Sequence, residues 1–219
     1  MAKRGIATGT LLASMFIAFP AVGQSAAASA PVDLSARLKQ VESSPQQMEA
    51  MLRAGKRVAA FCANCHGDGG NSVKPDVPNL AGQNAYYLLA QLREFSGSQR
   101  KTTEFKKRLV NAMSNDEKVG MVVFYAGQAV IVKPAADPAL ARKGEELYAK
   151  ACVECHEKDG RGTKQFSRIA GQQTVYLTTT LKGYRDNSGA RMDGDMVKNI
   201  KPMKDADINA LVAYVSSMK

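Results

Sequence analysis

Two stretches of the chain carry the same helical pattern of apolar positions. Val119, Val122, Val123 and Ala126 recur at the three-and-four spacing that lines one helix face, and Ile208, Leu211, Val212 and Val215 repeat it near the C-terminus. A middle helix is predicted after each of two Ala-Gly-Gln triplets, from about Ala85 to Phe95 and from Thr174 to Tyr184. Ser44-Pro45-Gln46-Gln47 offers an N-cap, a Pro at the first helical position and a capping-box Gln, and Asp137-Pro138 opens a second helix in the same way. Leu34, Leu38 and Val41 add a short amphipathic helix ahead of these. Gly- and Pro-rich loops at 67–78 and 160–162 separate the elements, and nothing in the pattern suggests a sheet. The expected class is all-α.

The pattern is also a repeat. Leu80-Ala-Gly-Gln-Asn-Ala-Tyr-Tyr-Leu matches Ile169-Ala-Gly-Gln-Gln-Thr-Val-Tyr-Leu, and Met113-Ser-Asn-Asp-Glu matches Met203-Lys-Asp-Ala-Asp. This predicts two tandem units, at 45–127 and 139–219, joined by a linker at 128–138 that holds the turn signal Lys133-Pro134. Residues 31–44 form an N-terminal extension.

The first residues read differently. Lys3 and Arg4 precede an apolar run from Ile6 to Phe19, then Pro20 and a tract of small residues to Ala30. That is the layout of a secretory signal peptide over residues 1–28, with cleavage within 23–30. The run falls short of the roughly 20 residues a spanning helix needs, and no later segment is apolar enough to cross a membrane. An exported, periplasmic protein without a transmembrane segment is expected.

Composition sharpens this. The chain holds four Cys, two His and no Trp. All six of those Cys and His residues sit in two pentapeptides, Cys62-Ala-Asn-Cys65-His66 and Cys152-Val-Glu-Cys155-His156, the second ninety residues after the first. No imidazole remains for a Cys–His nucleophile pair, a His₃ metal centre or a Ser-His-Asp triad. Zinc would find only a Cys₂His set in each unit. A thiol–disulfide couple would want a βαβ setting that is missing. Covalent haem attachment uses every donor: two thiols at i and i+3 add to the haem vinyl groups, and the adjacent His ligates the iron. Two haem c groups are expected. Each plate would also fill the core of a unit too small to bury much apolar surface by itself.

Further motifs carry a resemblance. Cys62-x-x-Cys-His-Gly with Gly70-Asn71-Ser72, Leu80-Ala-Gly-Gln with Tyr87, Gln91-Leu92-x-x-Phe95, and Met113-Ser-x-x-Glu with Phe124-Tyr125 resemble the cytochrome c4 family, dihaem class I cytochromes c of bacterial periplasms. The haem subunit of flavocytochrome c sulfide dehydrogenase is similar too. The resemblance spans about Pro45 to Lys219. It implies two class I cytochrome c domains about a pseudo-two-fold axis, haem propionates facing each other, and electron delivery to a terminal oxidase or similar partner. It also implies that Pro78 holds the ligating His through its carbonyl, with Ser167 in that place in the second unit, and that Tyr87 and Tyr176 lie near the propionates.

The same resemblance makes the two irons unequal. Similar proteins place an axial Met seven residues before the apolar residue that opens the closing helix. In the second unit that residue is Met196, with Met192 close by. In the first it is Lys106, and no Met occurs between Met51 and Met113. Lys106 or Lys107 as ligand, an open distal side, and a remodelled Met113 all stay open. So does a plain solvated basic turn. A thioether ligand favours ferrous iron, so the first haem is expected at lower potential than the second.

The formal charge is +10, or about +8 once Lys3 and Arg4 leave with the leader. Residues 45–130 hold 11 basic and 7 acidic side chains and residues 131–219 hold 15 and 11, so the excess forms no nucleic-acid stripe. An electron carrier without substrate chemistry of its own is expected, docking on acidic redox proteins such as an oxidase, a dehydrogenase or another cytochrome. An anionic lipid surface is a further docking option. The run Arg100-Lys101 to Lys106-Lys107-Arg108 is the best docking candidate. The rival expectation is a haem enzyme or enzyme subunit, for example in sulfur-compound oxidation, using the unusual first site.

Overall fold

The computed structural model describes Met1 and residues 32–97, 100–191 and 193–219; the rest of the expected signal peptide and Met192 lie outside them. Val32–Lys219 form one compact unit. Its described residues are helical and contain no strand. The first half comprises α1 (Leu34–Glu42), α2 (Pro45–His66), α3 (Ala85–Ser96), α4 (Glu104–Ala112) and α5 (Asn115–Ala126). The second comprises α6 (Pro138–Ala151), α7 (Val153–His156), α8 (Thr174–Arg185), α9 (Gly194–Ile200) and α10 (Asp205–Val215).

Each half is built on one crossing of its first and last long helices, α2 on α5 and α6 on α10. A Cβ added to Gly55 would sit 2.0 Å from the Gly120 carbonyl oxygen, and one added to Gly144 would sit 2.0 Å from that of Ala210. The backbones touch there because the crossing residue has no side chain. Around the crossings, Val119, Val122 and Tyr125 pack with Leu88, Leu89 and Leu92, and Ile208, Leu211 and Val215 pack with Tyr148, Leu177 and Ile200.

The caps follow the local sequence. Ser44 accepts from the Gln47 amide and Asp137 from those of Ala139 and Leu140. The expected capping box at Ser44 is only half made, because the Gln47 side chain accepts from Arg37 of α1 at 2.8 Å. A full box forms instead at Ser114 and Glu117. The N-terminal extension is α1, whose Leu38 and Val41 are fully buried in the first core.

The halves differ where the cysteines start. Helix α2 runs unbroken through Cys62 to His66. In the second half Cys152 leaves helical geometry (φ −122°, ψ −29°) between α6 and α7. One more residue separates Gly144 from Cys152 than separates Gly55 from Cys62, and the break absorbs it. The chain then leaves both histidines through the same backbone shape, Gly67 at φ 76°, ψ 164° and Glu157 at φ 63°, ψ 165°.

Helices α4 and α9 are not among the predicted elements; both begin at polar caps, Thr103 and Asp193, and the basic run Lys106-Lys107-Arg108 lies within α4 and is not a turn.

Candidate functional site

The first pentapeptide closes α2 and the second directly follows α6, so the close helix crossing in each half positions its cysteines and histidine. His66 Nδ1 lies 2.9 Å from the Pro78 carbonyl oxygen, and His156 Nδ1 lies 2.9 Å from that of Ser167. A carbonyl only accepts, so Nδ1 donates in both and Nε2 keeps its lone pair for an iron. Ser167 therefore holds its histidine at the same distance as proline does. Burial pushes both imidazoles below their ordinary pKa, which keeps them neutral, as a ligand must be. At His66 the carbonyl of Pro78 opposes that push and the Lys106 ammonium adds to it. At His156 the carbonyl of Ser167 and the Asp193 carboxylate both oppose it.

The cysteines form no disulfide with one another; Cys62, Cys152 and Cys155 are partly buried and Cys65 is exposed. Burial pushes the Cys152 thiol up to about 11. Among the described residues no cluster of three or more His, Cys, Asp or Glu side chains could hold a metal ion by itself.

The two residues expected opposite the histidines, Lys106 and Met196, sit at equivalent helix starts. Thr103 caps α4 by accepting from the Lys106 amide at 3.3 Å, and Asp193 caps α9 by accepting from the Met196 amide at 3.0 Å. Lys106 and Met196 thus occupy the same turn of the same helix in the two halves. Met196 packs partly buried against the second core, whereas Lys106 is exposed. Lys107 is partly exposed, and Met113 packs against the first core at the end of α4.

Tyr87 and Tyr176 come together between the halves. Arg191 donates to the Tyr87 hydroxyl at 2.8 Å and to the Tyr176 hydroxyl at 2.5 Å. Nearby, Arg100 stacks 4.2 Å from the centroid of the Phe95 ring, and its Nε is buried without a partner, as is the Thr102 hydroxyl. Orphaned buried donors of this kind need an acceptor that the chain itself does not supply. The residues fit a carboxylate-bearing haem in each half: vinyl-reactive thiols, a neutral imidazole with one nitrogen free, and unsatisfied donors between the units.

Sequence reasoning missed the residues that lock the halves together. Gln83 Oε1 accepts from the Arg168 amide at 2.7 Å and the Asn84 amide at 3.0 Å, while Nε2 donates to the Arg168 carbonyl at 2.8 Å. Gln172 repeats the pattern on Asn79 and Gln173, at 2.6, 2.9 and 3.1 Å. Each is the Gln of an Ala-Gly-Gln triplet, so the repeated triplet was the available signal. Asn79 adds a bond to the Gly171 carbonyl and Asn84 bonds to those of Phe166 and Arg161.

A pair of crossed-helix units, each presenting Cys-x-x-Cys-His with an anchored imidazole, defines a dihaem c-type cytochrome. The comparisons agree. The family model for cytochrome c matches residues 52–121 and again 141–219. The chain is 32% identical over 178 residues to cytochrome c4 of Pseudomonas aeruginosa, covering 75% of this chain and 87% of the relative. It is 34% identical over 188 residues to cytochrome c4 of Azotobacter vinelandii, covering 75% and 88%. The solved structure of reduced cytochrome c4 from Pseudomonas stutzeri superposes with a TM-score of 0.70 at 30% identity, covering 76% of this chain and 98% of that one. A protein of Thiomonas intermedia named thiosulfate dehydrogenase electron acceptor is 30% identical over 142 residues, covering 59% of this chain and 65% of the relative. The chain belongs to the cytochrome c4 family. It is an electron-transfer cytochrome with two covalently bound haem c groups.

Proposed function

We propose that the chain is a periplasmic carrier that passes electrons between respiratory or dehydrogenase partners through two unequal irons. Cys62 and Cys65 anchor the first haem and Cys152 and Cys155 the second, with His66 and His156 as proximal ligands. Met196 is the distal ligand of the second iron. Lys106 stands at the first, as a neutral-amine ligand or beside an open position. The observation that carries this is the shared placement of Lys106 and Met196, each on the third residue of a capped helix.

Bound haem supplies the one-electron ferric/ferrous couple. The chain's own residues do the rest. Pro78 and Ser167 orient the imidazoles, the helix crossings fix the anchoring cysteines, and the Gln83 and Gln172 contacts hold the two sites at one spacing. No helix among the described residues is long and apolar enough to cross a membrane, and docking rests on charge steering toward acidic redox proteins. The basic residues Lys106, Lys107 and Arg108 of α4 provide the contact beside the first haem.

A second reading, an enzyme subunit acting in sulfur-compound oxidation, draws on the missing thioether in the first half. It also draws on the similarity to the Thiomonas protein. Potentiometric titration of the purified holoprotein tests the carrier reading. The expected result is two midpoints, the lower belonging to the first haem and rising in Lys106→Met, because a thioether favours ferrous iron. Equal midpoints that Lys106→Met leaves in place refute it. Ready binding of carbon monoxide at one haem per ferrous chain favours the second reading.

A further inference from the structure

Two guanidinium groups meet between the halves with no carboxylate to neutralise them. Arg191, in the loop between α8 and α9, bridges the hydroxyls of Tyr87 from the first half and Tyr176 from the second. Those tyrosines occupy the same position of the repeat, so this one cation joins equivalent residues of the two halves. Arg100 comes from the corresponding loop of the first half. The adjacent Lys101 amide donates to the Ala190 carbonyl at 3.0 Å, which ties the two loops together. Arg100 also donates to Gln91 Oε1, while its Nε and the Thr102 hydroxyl stay buried and unpartnered.

Among the described residues neither arginine makes an ion pair. Residues 2–31, 98–99 and 192, which are not described, contain no Asp or Glu. Arg100, Tyr176, Tyr184 and Arg191 line a cavity of about 370 Å³, and the one carboxylate on its wall, Asp76, is exposed and unpaired with either arginine. Two neighbouring cations taken out of water are costly unless an anion joins them. The guanidinium fork is shaped for carboxylates. Each haem carries two propionates, and one haem belongs to each half.

We propose that Arg191, with Arg100, is a shared guanidinium clamp for the propionate carboxylates of both haems, and that Arg191 thereby sets both reduction potentials together. This rests on the two-haem assignment and not on which ligand stands opposite His66. A fixed cation near an iron favours the ferrous state, which carries one positive charge fewer. Bonded to both halves, it acts on both irons. Arg191 is a positioning residue: it touches the cofactor's periphery and tunes the couple from there.

The test is a redox titration of holoprotein variants, with haem content and far-ultraviolet circular dichroism checked beforehand. Arg191→Gln is expected to lower both midpoints, each by about a tenfold change in the ferric/ferrous equilibrium, or about 59 mV for one electron. Arg191→Lys keeps a charge but loses the fork, so both midpoints fall by less. Arg100→Gln lowers chiefly the midpoint of the first haem. If Arg191→Gln fails to take up haem, Arg191→Lys decides the matter through the same paired fall. Loss of stability with unchanged midpoints, or a shift at one haem only, overturns the proposal. Because the readout is a change on substitution, it holds or fails whether the wild-type midpoints are equal or not.

Discussion

Replacing Gln172 with Met keeps the length of the side chain and removes all of its polar bonds. Three backbone groups lose their partner: the Asn79 amide, the Asn79 carbonyl and the Gln173 amide. Gln172 itself is only 8% exposed, so water does not reach these groups while the halves stay together. Each buried polar group left unpaired costs about 1–3 kcal/mol. The expected loss is therefore about 3 kcal/mol or more, which is large against the typical stability of a domain. Gln83→Met strips the Arg168 amide, the Arg168 carbonyl and the Asn84 amide, and should cost a similar amount. The two contacts serve one interface. Once one is gone the halves part more readily, so the double variant should lose less than the sum of the singles. Guanidinium unfolding of the holoprotein, followed in the Soret band and the far ultraviolet, measures all three. Single losses under about 0.5 kcal/mol would refute the claim that these glutamines hold the halves together.

Leu38→Ala empties a fully buried position of α1 and should cost about 2–5 kcal/mol by thermal or denaturant unfolding, whereas a loss under about 1 kcal/mol would make α1 a loose appendage. Glu157→Gly relieves a side chain held at φ 63°, the backbone that Gly67 adopts in the first half. It should stabilise the protein by about 1 kcal/mol, read as a raised midpoint of unfolding. Asp205 accepts from Lys182 and Arg185, which hold its carboxyl down at about 2. A depressed carboxylate pKa contributes stability that is complete above its unfolded value near 3.9 and lost as pH falls through the folded one. The melting-temperature gap between wild type and Asp205→Asn should therefore be widest above about pH 4 and close toward pH 2. A gap that stays constant over that range would assign the effect to packing.

What could be read in the sequence divides along physical lines. Val119, Val122, Ile208 and Leu211 face the cores because burial imposes helical periodicity, and they are buried as that periodicity predicts. The pentapeptides were legible because covalent attachment fixes spacing independently of the surroundings. Helices α4 and α9 were not, since their beginnings depend on Thr103 and Asp193 capping short polar segments. The α6–α7 break at Cys152 follows from a one-residue difference that shows only once Gly144 is known to be the crossing point. Tyr87 and Tyr176 were expected near the propionates, yet nothing in their spacing could reveal that Arg191 joins them. That contact spans the two halves and depends on how they pack.

The two irons are proposed to differ because Lys106 stands where Met196 stands in the other half. Low-temperature electron paramagnetic resonance and near-infrared spectra of the fully oxidised holoprotein test it most directly, since both report axial ligands. One His/Met haem, lost in Met196→Ala, and one haem without a thioether ligand are expected. Two His/Met haems in the wild-type spectra would contradict it.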